Sequence, residues 1–177
     1  MEFGEWLCEE VLKEVPHRHF VFSIPKILRR YFLYDRKLLS ELSRCAWETL
    51  KEVFQEVVPE EDAVPGAVIA IHSFGDFLGW HPHLHVLCTD GCFYGNGMFR
   101  VAPLFELKHL EEIFRYKVFK ILLKNEKITE ELVKMVMGWR HFPASMCFAG
   151  PEFSWGVKNQ WKTSPVILFG LLSLRKE

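Results

Sequence analysis

The chain lacks the features that mark secreted, membrane-spanning or disulfide-stabilised proteins. Its five cysteines are odd in number, widely scattered, and form no C-x-x-C pair of the kind that binds structural zinc. The acidic beginning M-E-F-G-E-W-L-C-E-E has no signal-peptide pattern, and the longest late apolar run, Val166 to Leu172, is too short to span a bilayer. We therefore expect a soluble protein of the reducing cytoplasm, with no membrane contact.

The sequence also lacks an excess of positive charge. Its formal net charge is −1 at pH 7, which excludes a protein held on nucleic acid by bulk charge alone. Any basic surface has to be local, and one is predicted where Lys26, Arg29 and Arg30 lie beside Tyr31 and Tyr34. Cations bind phosphates and aromatic rings stack on unpaired bases, so this surface could bind single-stranded DNA. The alternative is an ordinary solvated surface.

Hydrophobic residues make up 49% of the sequence, which is enough for one substantial core. The length of 177 residues is too short for two full domains. Apolar spacing predicts helices near residues 2–15, 38–57, 103–122 and 129–138. Runs of β-branched and aromatic residues predict strands at 17–25, 67–74 and 80–89, and a glycine-turn hairpin at 93–101. The expected fold class is α+β, with a central antiparallel sheet of four or five strands flanked by helices.

One stretch carries most of the chemistry, W-H-P-H-L-H-V-L-C-T-D-G from Trp80 to Gly91. Because side chains alternate along a strand, His81, His83 and His85 should lie on one face, with the residues between them in the core. Imidazoles two residues apart can share one divalent ion, although single histidines near a turn are more often surface residues. An antiparallel neighbouring strand would bring His72 and Asp76 close to the same site.

Four segments of the chain resemble the catalytic domain of HUH transposases, from about residue 5 to Arg140. They are E-W-L-C-E-E-V-L-K-E-V-P-H-R-H-F-V-F-S-I-P-K, Y-F-L-Y-D-R-K-L-L, A-V-P-G-A-V-I-A-I-H-S-F-G and the histidine stretch itself. The triplet H-P-H-L-H-V-L is the most specific of these. These transposases belong to rolling-circle insertion elements that move as single strands.

The resemblance implies a metal-dependent nuclease domain that cleaves and rejoins single-stranded or hairpin DNA. His83 and His85 would be the matching ligands of Mg²⁺ or Mn²⁺, and His81 a third ligand. In the family a helix-borne tyrosine attacks the phosphodiester and keeps the bond energy in a phosphotyrosine link, while the ion stabilises the leaving oxygen.

Two parts of the family pattern are missing from this sequence. The cysteine-rich zinc module that usually precedes E-W-L-C-E-E is absent, and nothing after Trp139-Arg140-His141 matches the family's tyrosine helix E-N-L-A-R-Y-I-I-R. Tyr116 lies upstream of that helix and is a weak candidate for the nucleophile. We therefore expect a transposase-derived DNA-binding domain that is inactive alone.

The sequence changes character after residue 141. We divide the chain into a transposase fragment, residues 1–141, and a tail, residues 142–177, that lacks periodicity and family resemblance. Back-translating Asn159 to Leu174 and reading one base earlier can give E-S-M-E-N-L-A-R-Y-I-I-R-A-S-F-S, which looks like the tyrosine helix. This suggests a frameshift near Phe142.

Two other functions compete with a transposase fragment. A non-enzymatic module that binds single-stranded or hairpin DNA would keep the basic surface and need no metal. An unrelated hydrolase with an H-x-H strand would need an eight-fold barrel, which 177 residues cannot form.

Overall fold

The computed structural model describes residues 6–75, 79–138 and 147–153. Within these ranges the strands are β1 His17–Ser23, β2 Ala67–Phe74, β3 Trp80–Thr89, β4 Gly91–Tyr94, β5 Met98–Val101 and β6 Cys147–Phe153. The α-helices are α1 Lys26–Tyr34, α2 Lys37–Val57, α3 Leu107–Lys124 and α4 Glu130–Met137. None of these helices combines the length and apolar character that crossing a bilayer requires. The α+β fold predicted from the sequence is confirmed.

The central sheet has four strands in the order β2-β3-β1-β6, and every neighbouring pair is antiparallel. The histidine strand β3 is therefore an inner strand that is hydrogen-bonded on both sides. The strand number agrees with the prediction. The membership of the sheet does not, because the predicted hairpin forms a separate two-stranded sheet of β4 and β5.

The fourth strand of the central sheet comes from the segment that the sequence suggested was a tail. Cys147–Phe153 pairs with β1, and the Cys147 side chain is buried in the main core. Strand β6 therefore lies beyond residue 141, the boundary predicted from the sequence. Gly150 and Pro151 interrupt the apolar alternation of β6, and backbone pairing with β1, invisible in the sequence, fixes the strand.

The predicted N-terminal helix, residues 2–15, ends earlier than expected. Within the described residues it is reduced to a single π-helical turn, Leu7–Val11, and Leu12 is already extended. Pro16 follows closely, and a proline pushes the residue before it away from the helical conformation. The buried Leu7 still packs inward, while Trp6 is partly exposed.

One face of the central sheet packs on helices α2 and α3. Phe20 and Phe22 of β1 and Leu84 and Val86 of β3 are fully buried on this face. The rings of Phe22 and Phe114, which belongs to α3, lie 4.7 Å apart between their centroids. The alternate residues of the same strands point to the other face, and they include the histidines.

Strand register brings the histidines together. His83 lies opposite His72 of β2, and His85 lies opposite Ala70 of β2 and Val21 of β1. A slip of one residue in either pairing would turn the histidines into the helix-packed core, which is why burial of the apolar face specifies the register.

Candidate metal site

Three imidazoles from two neighbouring strands converge on the open face of the sheet. His72 comes from β2, and His83 and His85 come from β3. One ligand nitrogen of each ring can be chosen so that all three lie within 4.8 Å of one another. We call this set the histidine triad.

The spacing of the rings fits a shared ion. Imidazoles bound to one ion at about 2.1 Å, with angles of roughly 90° to 110°, place their ring centroids roughly 4.6 to 5.3 Å apart. The observed centroid distances are 4.5 Å for His72 and His85, 5.0 Å for His83 and His85, and 5.2 Å for His72 and His83. The donor set is therefore suited to a divalent transition-metal ion.

Two rings of the triad, His83 and His85, are kept in the neutral form that binds metals. Burial, and after it the positive charges of His72, His83 and His19, lower the pKa of His85 to about 3. Burial is also the main cause that lowers the pKa of His83. Neutral imidazole is the ligand form of histidine, because a ring nitrogen must offer a lone pair.

One hydrogen bond fixes which nitrogen of His83 carries the proton. Its Nδ1 lies 2.7 Å from the carbonyl oxygen of His81, which can only accept, so Nδ1 must donate. The Nε2 atom of the neutral ring then offers a lone pair, and it lies 3.1 Å from Nε2 of His85. His83 is therefore already oriented as a ligand toward His85.

The structure separates the three histidines predicted from the sequence. His83 and His85 belong to the triad, and His72, expected nearby, takes the third position. The His81 ring centroid is 5.1 Å from that of His83, but His81 is not part of the triad. Asp76, which the sequence also suggested would lie near the site, falls outside the described residues.

Arg29 is the residue of the predicted basic surface whose charge acts on the triad. Its positive charge contributes to lowering the pKa of His83, after burial and the charge of His72. Its Nε donates to the carbonyl of Ile24 over 3.1 Å, and its own carbonyl accepts from the Trp80 indole over 2.8 Å. These contacts hold the guanidinium beside the start of β3.

Lys26 and Arg30 lie on the exposed side of helix α1. Arg30 donates to the Tyr31 hydroxyl over 3.0 Å and lies 5.0 Å from the centre of that ring. Tyr34 is 86% exposed at the end of the helix. We call Lys26, Arg30, Tyr31 and Tyr34 the basic-aromatic surface.

Tyr116, the weak candidate for a nucleophile, lies on helix α3 and is 65% exposed. Helix α3 packs on the face of the sheet that carries Phe22, whereas the triad lies on the opposite face. The sheet therefore separates Tyr116 from the triad within one chain.

Sequence reasoning missed His19. This residue of β1 is 7% exposed, and its Nε2 lies 3.0 Å from Nδ1 of His85. A signal was present, because H-R-H at positions 17–19 repeats the histidine alternation of β3 on another predicted strand. Only the pairing of β1 with β3 shows that the two patterns meet.

Comparison with known families finds a match over residues 66–161, more than half of the chain, to a family described as "Putative transposase". The match includes both strands of the triad and continues past residue 141.

A curated relative, the transposase for insertion sequence element IS801 of Pseudomonas savastanoi pv. phaseolicola, is 33% identical over 89 residues. The alignment covers 50% of this chain and 21% of the relative, so the chain spans about a fifth of the length of the relative it matches. No solved structure matches the chain. On the strength of the family match, which covers the whole histidine triad, the chain belongs to this transposase family.

Proposed function

We propose that this chain contributes the metal-binding part of a transposase that acts on single-stranded or hairpin DNA in the cytoplasm. The observation that carries the proposal is the convergence of His72, His83 and His85, with ligand atoms within 4.8 Å, in a member of a transposase family. The whole reaction belongs to a longer protein of the kind that this chain matches in part.

The histidine triad is proposed to hold a divalent ion. Of Mg²⁺ and Mn²⁺, the two ions suggested by the family resemblance, Mn²⁺ suits the site better, because Mg²⁺ takes oxygen ligands and gives up its bound water reluctantly. When bound, the ion would polarise a phosphodiester oxygen and stabilise charge on the leaving oxygen. His81 stays a proposed further ligand.

Arg29 is proposed to bind the phosphodiester beside the triad. Its guanidinium is anchored through Nε and influences His83, so its remaining N–H groups can donate to a phosphate without a large loss of side-chain freedom. The basic-aromatic surface would extend this contact, with Lys26 and Arg30 on phosphates and Tyr34 under an unpaired base.

The same chain is proposed to bind DNA without cleaving it. Cleavage needs a tyrosine oxygen in line with the phosphodiester, and Tyr116 lies across the sheet from the triad. The frameshift suggested by the back-translation of residues 159–174 would account for the missing tyrosine helix, and it remains a proposal.

The metal site can be tested by thermal denaturation in the presence of Mn²⁺. A ligand that binds only the folded state stabilises it, by about 2.7 kcal/mol at a hundredfold excess over Kd. The variant with both His83→Ala and His85→Ala should lose this gain. His109→Ala is the matched control, because His109 is an exposed histidine on α3 that contacts Glu56. An unchanged response in the double variant would place the ion elsewhere.

The second candidate function is a DNA-binding module that needs no metal. The basic-aromatic surface favours it, because none of its four residues belongs to the triad. Binding of a fluorescent hairpin oligonucleotide should be measured with Mn²⁺ and with EDTA. Equal affinity in both would favour the metal-free module, whereas stronger binding with Mn²⁺ would favour the transposase site. A covalent adduct on a denaturing gel would show that the chain cleaves after all.

A further inference from the structure

The imidazole ring of His19, in β1, contacts the ring of the ligand histidine His85, in β3, edge to edge. The two ring planes are inclined by only 9°, and the ring centroids are 5.2 Å apart. Nε2 of His19 and Nδ1 of His85 are only 3.0 Å apart. Such a short contact at this centroid distance requires both nitrogens to lie almost on the line between the ring centres. The hydrogen bond therefore lies close to the plane of both rings, where the nitrogen lone pair points.

The position of one proton decides whether His85 can bind an ion. His83 already offers its Nε2 lone pair toward His85, because its Nδ1 proton is held by the carbonyl of His81. To share an ion with His83, His85 must also offer the lone pair of Nε2. In a neutral imidazole the proton of His85 must then be on Nδ1, the atom that faces His19.

We infer that His19 is a positioning residue for the metal site, which accepts a hydrogen bond from Nδ1–H of His85 and so sets the tautomer and orientation of that ligand. The inference rests on the proposed function, since it assumes that the triad binds an ion. Ligand histidines commonly donate their second ring N–H to a neighbouring acceptor, and loss of the acceptor typically weakens metal binding 10- to 100-fold. Here the acceptor is a second imidazole on the adjacent strand.

The same contacts allow a different arrangement before the ion binds. Nε2–H of His19 can donate to Nδ1 of His85, whose Nε2–H then donates to Nε2 of His83. Ion binding displaces the last of these protons, so His85 and His19 must both change tautomer. Ligation through Nε2 alone places the His85 proton on Nδ1, whereas His19 changes tautomer only if it accepts from His85, so the tautomer of His19 is the direct measure of the proposed role.

The experiment compares three variants of the whole chain in a Mn²⁺ titration. His19→Leu removes the acceptor and should weaken binding 10- to 100-fold, the range typical of lost outer-shell partners. His19→Gln keeps an oxygen acceptor and should recover most of the affinity. Val21→Ala is the matched control for packing, because Val21 lies on the same face of β1 opposite His85, and it should bind like the unmodified chain.

Nitrogen-15 NMR of the unmodified chain gives a second measurement that needs no variant. With Zn²⁺ as a diamagnetic probe, His19 should carry its proton on Nδ1, which leaves Nε2 to accept from His85, and in the metal-free chain it should carry the proton on Nε2. A His19 that stays protonated on Nε2 with Zn²⁺ bound, or a His19→Leu variant with unchanged affinity, would overturn the inference and leave the proposed metal site standing. Failure of the unmodified chain to bind any ion would overturn the proposed function itself.

Discussion

The guanidinium of Arg18 donates a hydrogen bond to the carboxylate of Asp90 over 2.7 Å, and the side chains are 14% and 2% exposed. Arg18 belongs to β1, and Asp90 directly follows β3. The backbone N–H of Asp90 also donates to the carbonyl of Pro16 over 2.8 Å. These contacts fix the end of β3 against the start of β1, and so support the register that places His19 beside His85.

Removing the Asp90 carboxylate should destabilise the fold strongly. Asp90→Ala leaves the charge of Arg18 buried without its partner, which typically costs about 3 to 5 kcal/mol. The free energy of unfolding in urea measures the loss. Glu48→Ala is the control, because it breaks an exposed pair with Arg44 at 3.8 Å and should cost less than about 1 kcal/mol. Equal losses in the two variants would show that the buried pair does not hold the strands.

His72 should contribute more to metal binding than His81, the further ligand proposed from the sequence. His72→Ala removes one of the three nitrogens that lie within 4.8 Å and should raise the Kd for Mn²⁺ at least about tenfold. His81→Ala keeps the backbone carbonyl that holds the His83 proton, and should change the Kd only a few-fold. Isothermal titration calorimetry measures both constants. A larger effect at His81 would restore it as the third ligand.

Arg29 should contribute more to DNA binding than its exposed neighbours. Replacing Arg29 with glutamine should remove one phosphate contact. The slope of log K against log salt concentration for single-strand binding should then become less steep by about 0.7. Fluorescence anisotropy with a hairpin oligonucleotide at several salt concentrations gives that slope. Arg44→Gln, an exposed arginine on α2, should leave the slope unchanged. If Arg44→Gln lowers the slope as much, the contact is nonspecific.

The stability of the metal-free chain should fall in mild acid, partly because of His17. Burial lowers the pKa of His17 in the folded chain, and its contacts with Val15 and Asp90 offset part of this. The unfolded chain, with a pKa near 6.5, therefore takes up a proton first as the pH falls. The contribution of His17 to the stability of the folded chain is therefore complete above about pH 6.5 and decreases below that pH.

His17→Gln tests this pH dependence. With EDTA present, the unmodified chain should lose more unfolding free energy between pH 7.5 and 5.5 than the variant does. The two chains differ by the uptake of at most one proton on unfolding. Their unfolding free energies therefore diverge by at most about 1.4 kcal/mol per pH unit. Urea denaturation across this range measures it. Parallel curves for the two chains would mean that His17 titrates normally when folded.

The sequence predicted the local elements better than their arrangement. Strands β1, β2 and β3, helix α2 and the capped helix α4 follow from periodicity, since each has a sustained apolar pattern or a cap such as Thr129, which accepts from the N–H of Leu132. The fourth strand of the central sheet could not be predicted from periodicity. Strand β6 is fixed by backbone pairing with β1 and has no alternation of its own.

The candidate metal site was predictable in part for a similar reason. His83 and His85 share one strand, so their common face follows from alternation alone. His72 needed only the antiparallel pairing of two consecutive strands. His19 joins the site through the pairing of β1 with β3, which are far apart in the sequence, and no local pattern contains that information.

The extent of the folded domain gives the last prediction. A chain ended after residue 146 loses β6, so it exposes the backbone edge of β1 and removes the buried Cys147 from the core. It should be less stable in urea by at least about 2 kcal/mol, from lost hydrogen bonds and apolar burial, or should aggregate through the open edge.

A chain ended after residue 161, where the family match ends, should keep the stability of the full chain. The frameshift near Phe142 is a proposal that the nucleotide sequence would test. If the two shortened chains are equally stable, β6 contributes nothing to the fold, and the boundary at residue 141 is the correct one.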